Sequence, residues 1–346
     1  MVTELGAAGR EWNSYVDSRS DASLYHTLAW RDVVVEAFGH EPLYLVHRTA
    51  SRVDGILPLF RLSAPLLGVK LISMPYDIGS SLLASGAEAE RALLARAVEL
   101  ARAQRAAYLE LRCRRPLATA EALGFRRSEP VLLSEVELDD PDAAVKRISR
   151  RYREYARFAE RQGVSIREAE SLADYRAFYE VYLRVFRAFA TPPYAFRYFT
   201  VIHRHLHDRG AARLLLADLG GRIVGGLLLF VHGATVTNKF SVMLPEAERS
   251  RAMVALYTAA IRRGFDWGGR RLSLGSSGRS QSGLIAFKER LGAVATPASV
   301  YSSPIHGAVP SLERYFDDRG LERRLWRHLP LGVTRVAGGL LNRWFC

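Results

Sequence analysis

The stretch from Leu272 to Ala293, LSLGSSGRSQSGLIAFKERLGA, holds the residue types best suited to meet a negative group. An apolar run reads as a strand, a Gly/Ser-rich loop follows, and a helical segment then carries Phe287 and Lys288. Backbone N–H groups of such a loop, with a helix N-terminus behind them, form an anion cradle, and the lysine adds positive charge for a phosphate or a developing oxyanion. The same residues also suit a plain strand-to-helix connection with a surface lysine. Earlier in the chain, in AVKRISRRYREYARFAERQGV, Lys146, Arg147, Arg150, Arg151, Arg153, Arg157 and Arg161 face only Glu154 and Glu160. Val145, Ile148, Tyr152, Tyr155 and Phe158 recur there at three- and four-residue spacing. They predict one cationic helix that docks this stripe, turns its arginines away and stops at Gly163. In HRHLHD, His203 and His207 share a helix face at metal-compatible spacing with His205 between them. No acidic third ligand is read beside them and no metal is expected.

The elements that must position these groups alternate along the chain, which argues for an α/β (α+β) class. PLYLVHR, GILPLFRL, KLISM, YLELR and VLLSEVEL read as strands of a first half, with a helix from about Ala87 to Arg105. VSIREAE, RLLLADL, RIVGGLLLFVHG and ATVTNKFSV repeat that grammar, with helices near Ala173 to Phe189 and Arg249 to Trp267. Gly220-Gly221 predicts a tight hairpin, because both centres of a type I′ turn need positive φ. Gly225-Gly226, inside a strand, suits a bulge or a close approach of substrate. The expected division is a domain over 1–140, a basic linker helix over 141–163, a second domain over 164–310 and a basic amphipathic tail over 311–346. That tail has two helical pieces about Pro330 and mixes arginines with Leu325, Trp326, Leu329, Trp344 and Phe345. It suits either packing on the domain or lying on an anionic membrane.

At 346 residues the chain is long enough for two domains with sizeable cores. Its 49 Lys plus Arg against 36 Asp plus Glu give a formal charge of +13. Such a surface attracts tRNA, anionic lipid headgroups or pyrophosphate-bearing substrates alike. No apolar run reaches the roughly 20 residues of a membrane span, and the first residues lack a basic-then-apolar signal. A cytoplasmic protein, with peripheral contact at the inner face of the membrane, is the expectation. Cys113 and Cys346 offer neither a disulfide framework nor a metal pattern.

The arrangement of Gly275, Ser277, Gly283, Phe287, Lys288, Gly292 and Ala293 resembles the C-terminal signature of the FemAB family and its GNAT-fold relatives. Arg150, Arg153 and Arg157 before Gly163-Val164 are similar to the family's basic helix. Thr191-Pro192-Pro193 matches its Pro-containing segment. YHTLAWRDVVVEAFGHEPLYLV, GILPLF and SMPYDIGS are similar to its opening elements and its S-x-P-[FY] loop. The resemblance covers most of residues 12 to 330. It implies tandem GNAT-like domains with mixed, mainly antiparallel sheets flanked by helices. It implies transfer of an aminoacyl group from aminoacyl-tRNA to an amine on an envelope precursor such as that of peptidoglycan, or of an acyl group from acyl-CoA, with no tightly bound cofactor. Lys288 would stabilise the oxyanion and Asp77 would orient or deprotonate the amine. Arg150, Arg153 and Arg157 would hold phosphates, with Tyr76, Tyr194, Gly275, Ser277, Gly283 and Phe287 about the substrates. Two departures stand out. Ser273 and Leu274 occupy the place of an Asp in many members, and RSRAMVAL lacks the glycine of the CoA-binding [QR]-x-x-G-x-[GA] loop. The basic, proline-containing tail resembles a branch associated with exosortase and exopolysaccharide systems. A small-molecule N-acyltransferase, or a non-catalytic protein that binds tRNA or membrane, are the competing readings.

Overall fold

The computed structural model describes residues 1–6, 9–50, 52–64, 68–309 and 321–343. Of the tail, 311–320 and Trp344, Phe345 and Cys346 therefore lie outside the described residues. The chain divides into two compact units, 1–133 with 296–309, and 134–295 with 321–343.

The first unit opens with β1 (Val2–Glu4), α1 (Gly9–Asp17), α2 (Leu28–Phe38), β2 (Glu41–Pro42), β3 (Leu45–Thr49) and β4 (Arg52–Leu57). There follow β5 (Leu59–Ala64), β6 (Gly68–Ser73), β7 (Leu83–Ala84), α3 (Ala87–Ala103), β8 (Tyr108–Cys113), α4 (Ala118–Ala122) and β9 (Arg126–Arg127), and then β10 (Val131–Glu137), which runs across the division at residue 133. Strands β1, β3, β4 and β7 form an antiparallel sheet in that order. Against it α3 turns Ala89, Leu93, Ala97 and Leu100, the i, i+4, i+8, i+11 positions of an amphipathic helix. Gly55 on β4 lets it close in, since a Cβ there would stand 2.9 Å from Leu93. A second sheet runs β16 (Val294–Pro304), β8, β6, β5, β2. Its β8–β6 pair is parallel and its other pairs are antiparallel. Leu59, Leu71, Leu109, Leu111 and Tyr301 from that sheet are all fully buried. Cys113 is buried and its thiol is pushed up to about 12 by desolvation, an inert state.

The second unit contains α5 (Pro141–Arg147), α6 (Arg150–Arg161), β11 (Val164–Glu168), α7 (Leu172–Ala188), α8 (Phe196–Ile202), β12 (Ala212–Leu219), β13 (Arg222–His232) and β14 (Thr235–Met243). Then come α9 (Ala252–Asp266), β15 (Arg271–Ser277), α10 (Ser282–Arg290), α11 (Leu321–His328) and α12 (Leu331–Leu341). Strands β11 to β14 pair antiparallel in sequence, and β14 pairs with β15 in parallel through the crossover helix α9. The β12–β13 hairpin turns on Gly220 and Gly221, at φ 64° and 80°. Helix α7 starts where the Ser171 hydroxyl accepts from the Asp174 N–H, and it buries Tyr175, Phe178, Tyr179 and Tyr182 at helical spacing. The close approach expected at Gly225-Gly226 is to the protein itself. A Cβ on Gly226 would lie 2.7 Å from the Leu215 carbonyl oxygen and 2.8 Å from the Phe178 ring. A bulge follows at the adjoining register, between Ala217 and Asp218.

The single cationic helix expected over 141–163 is two helices. Asp140 caps α5 by accepting from the Ala143 N–H at 2.6 Å, and the chain leaves helical geometry at Ile148 and Ser149. The break is held from outside and inside. The Ser149 N–H donates to the Arg290 carbonyl at 2.8 Å, and the Arg153 guanidinium donates to the carbonyls of Lys146 and Ile148. Of the expected stripe, Ile148 and Tyr152 are buried, but the remainder of the α6 contact differs. Tyr152, Ala156 and Ala159 are buried, whereas Tyr155 is half-buried and Phe158 is exposed. Alanine at i+4 and i+7 lets α6 lie close on α9, which larger side chains would prevent.

Candidate functional site

Strands β14 and β15 share only three ladder pairs, Thr235 with Arg271, Val236 with Leu272 and Thr237 with Ser273, although both continue. Just beyond, Leu228 pairs with Phe240 and Leu229 with Asn238, so Lys239 is the extra residue of a bulge in β14. A bulge bends its strand. The parallel pair therefore parts at the carboxyl ends of its strands, the place where α/β sheets receive ligands. Asn238 and Tyr257 stand there. The Asn238 amide N–H donates to the Tyr257 hydroxyl at 3.1 Å, and the buried Asn238 Oδ1 has no hydrogen-bond partner. Burial pushes the Tyr257 phenol up to about 12, against a smaller opposing effect from a hydrogen bond with Ser241, so it stays protonated at neutral pH. On β15, Gly275 sits at φ 77°, a conformation that favours glycine.

Lys288 fixes this strand end. Its side chain is 4% exposed, and its ammonium donates to the Gly275 carbonyl at 2.8 Å, the Ser276 carbonyl at 3.0 Å and the Ser277 hydroxyl at 2.9 Å. An ammonium has three hydrogens, and all three are engaged. Desolvation pushes its pKa down to about 8. Ser277 is fully buried by this contact. Phe287 packs between Tyr152 of α6 and Tyr257 of α9, with ring centroids 5.7 and 5.6 Å away, while Gly283 lies exposed in the first turn of α10.

A cationic pair lies at the N-terminus of α9. Arg251 precedes the helix at φ 62°, and its guanidinium stands 4.6 Å from the centre of the Tyr155 ring. Arg151 stands 5.2 Å from the same ring and donates to its hydroxyl at 2.6 Å. A left-handed arginine costs roughly 1 kcal/mol, a strain found where function requires it. Of the arginines expected to hold phosphate, Arg153 is occupied by the α5 carbonyls and Arg150 pairs with Glu154 at 3.0 Å in solvent. Arg157 is exposed.

Tyr194 belongs to an aromatic cluster, 4.9 Å from Tyr198 and 5.6 Å from Phe240 of β14. Asp77 and Tyr76 lie in the first unit. Tyr76, at φ 73°, is buried, hydrogen-bonds His40 Nε2 at 2.7 Å and stacks on Phe38 at 4.3 Å. The Asp77 carbonyl accepts from Arg112, itself paired at 2.7 Å with buried Glu110. Asn238 and Tyr257 were not singled out from the sequence and Arg151 was read only as one charge of the basic helix, whereas Arg251, with Arg249 in RSRAMVAL, was read as an arginine at a helix N-terminus able to hold phosphates. Only the offset from the Gly/Ser loop to a strand-and-helix crossover marked their surroundings, because their proximity depends on the parallel pairing.

Residues 143–285 match the family described as an acetyltransferase (GNAT) domain. No curated protein matches the sequence. Among solved structures, that of FemX superposes with a TM-score of 0.71 at 15% identity, covering 88% of this chain and 98% of that one. A tandem GNAT protein from the clavulanic acid biosynthesis pathway gives 0.57 at 18% identity, covering 90% and 99%. L-PGS from Bacillus licheniformis gives 0.55 at 13% identity, covering 97% and 96%. Residues 143–285 thus match an acetyltransferase (GNAT) domain, and the fold of the chain is of the GNAT kind. Its architecture is FemAB-like, as the motif order through Gly275, Lys288 and Gly292 implied.

Proposed function

We propose that the second unit transfers an acyl or aminoacyl group from a phosphate-bearing donor, acyl-CoA or aminoacyl-tRNA, to the amine of an envelope or exopolysaccharide precursor. The observation that carries this reading is the early end of the β14–β15 ladder beside the Arg251 and Arg151 guanidiniums at the head of α9. Donor phosphates fit the helix N-terminus and its arginines. The reactive carbonyl then reaches the parted strands. The amine nitrogen attacks the carbonyl carbon, the C–S or C–O bond to the donor breaks, the amine proton passes to water, and the leaving thiol or hydroxyl takes a proton. Neutral Tyr257 is suited to supply that proton or to bond the oxyanion, and Lys288 holds the Gly275–Ser277 backbone against which the carbonyl is aligned.

An acceptor carried on a lipid suits the C-terminal helices. Helix α12 docks through its smallest residues. Thr334 and Gly338 are buried, a Cβ on Gly338 would overlap Pro193, and the Asn342 amide donates to the Pro192 carbonyl at 2.8 Å. Val333, Val336 and Leu340 are left exposed at helical spacing, flanked by exposed Arg327, Arg335 and Arg343. This cationic, apolar face suits an anionic lipid surface. Among the described residues no helix is long and apolar enough to cross a membrane.

Two measurements test the reading. Titration with acyl-CoA and with aminoacyl-tRNA at fixed salt should show one of them binding, at least about tenfold more weakly to Arg251→Ala, since a lost charge-assisted phosphate contact is worth roughly 1.5–3 kcal/mol. Binding of neither would overturn the transferase reading. Sedimentation with phosphatidylglycerol vesicles should retain the wild type and lose Val336→Asp. Equal behaviour of the two, or a dimer that Val336→Asp dissociates, would sink the lipid contact.

A further inference from the structure

We propose that His203, His207 and Asp208 form a binding site for a divalent transition-metal ion, of the zinc class, at the junction of α8 and β12. One ligand atom of each lies within 4.8 Å of the others. The expectation that no acidic ligand stands beside these histidines is corrected by Asp208, the next residue of the chain.

Local backbone geometry makes the group. Residues 203–207 form a π-helical turn continuing α8, where an α-helix would otherwise run on. Because a π turn closes on the i to i+5 hydrogen bond, both His207 and Asp208 come beneath His203, and such turns recur at functional sites. The two imidazoles stack with centroids 4.9 Å apart and planes 18° from parallel. Tyr175 of α7 holds them from the side, edge-on to His203 at 5.1 Å and to His207 at 5.4 Å, with its hydroxyl 3.3 Å from His207 Nδ1. A partner at Nδ1 fixes the ring, as is usual for a ligating histidine. His203 Nε2 is buried and has no hydrogen-bond partner. An unspent nitrogen of that kind costs free energy unless a ligand takes it.

The donor set selects the ion. Two imidazoles and one carboxylate suit zinc, cobalt or nickel, whereas magnesium and calcium require oxygen ligands. Tetrahedral ligands at about 2.0–2.1 Å from zinc stand roughly 3.4 Å from one another, so closure takes a side-chain movement on the order of 1 Å. Asp208 is exposed and can make that movement, leaving a fourth position for water. His205, on the same turn, is outside the group.

The test uses the full chain freed of metal with a chelator. Isothermal titration with zinc chloride should give one site per chain and magnesium chloride none, and cobalt(II) should develop the visible absorption of a low-coordinate site. His203→Ala, His207→Ala and Asp208→Asn should each weaken zinc at least about tenfold, whereas His205→Ala should not. Melting in chelator reports whether each variant is folded, and Asp208→Asn, at an exposed position, keeps the test open should a histidine variant unfold. Absence of a stoichiometric site, or a loss in His205→Ala equal to that in His207→Ala, would overturn the proposal.

Discussion

Replacing Lys288 by Met isolates the buried ammonium that ties the end of β15. In the folded chain its pKa lies near 8, against an ordinary 10.5, because burial disfavours the charged form. The native state therefore releases this proton about 2.5 pH units before the unfolded chain does. Between pH 8 and 10.5 the unfolded state binds more protons, so stability rises with pH over that window. At pH 7 the charged lysine costs roughly 3 kcal/mol relative to an unshifted one, and about 2–3 kcal/mol of that is recovered by pH 10.5, at 1.36 kcal/mol per pH unit. The three oxygens on Lys288 oppose the cost, which makes this figure an upper bound. Met carries no titrating group, so the stability difference between wild type and Lys288→Met should move in favour of wild type as pH rises from 7.5 to 10.5. Urea unfolding of both proteins at pH 7.5, 9.0 and 10.5 measures it, and all other ionisable groups cancel. A difference constant within 0.5 kcal/mol would refute the account of a desolvated ammonium. Acyl transfer by Lys288→Met should fall along with the order of Gly275–Ser277.

Two further substitutions probe the parted strands and the sheet behind them. Tyr257→Phe removes the hydroxyl bonded to Asn238 and should lower kcat about 100-fold with KM for the donor nearly unchanged, a split read by steady-state kinetics. Retained kcat would remove Tyr257 from the chemistry. Gly226→Ala forces a Cβ against the Leu215 carbonyl and the Phe178 ring and should cost about 2–4 kcal/mol. A variant within 0.5 kcal/mol of wild type in urea unfolding would contradict that packing.

Local sequence carried the elements and the fold class. Alternating apolar runs marked β12 to β14, Gly220-Gly221 fixed their hairpin, and the G-x-S to F-K-x-x-x-G-A order led to the FemAB-like fold. These features are legible because they are local: turn chemistry, periodicity and motif order need only neighbours in the chain. Local reasoning misjudged the basic segment, where hydrophobic spacing predicted one helix through Ile148 and Ser149. The break there is held by Arg290, which lies far along the chain. Tertiary structure alone decided what Lys288 does, because the three oxygens that absorb its ammonium arrive with the end of β15. It likewise decided that Asn238 and Tyr257 share the crevice, and that Arg251 and Arg151 meet about Tyr155. Spacing along a chain fixes which way a side chain leaves its own helix or strand, but a site joins groups from several elements, and only packing sets those distances.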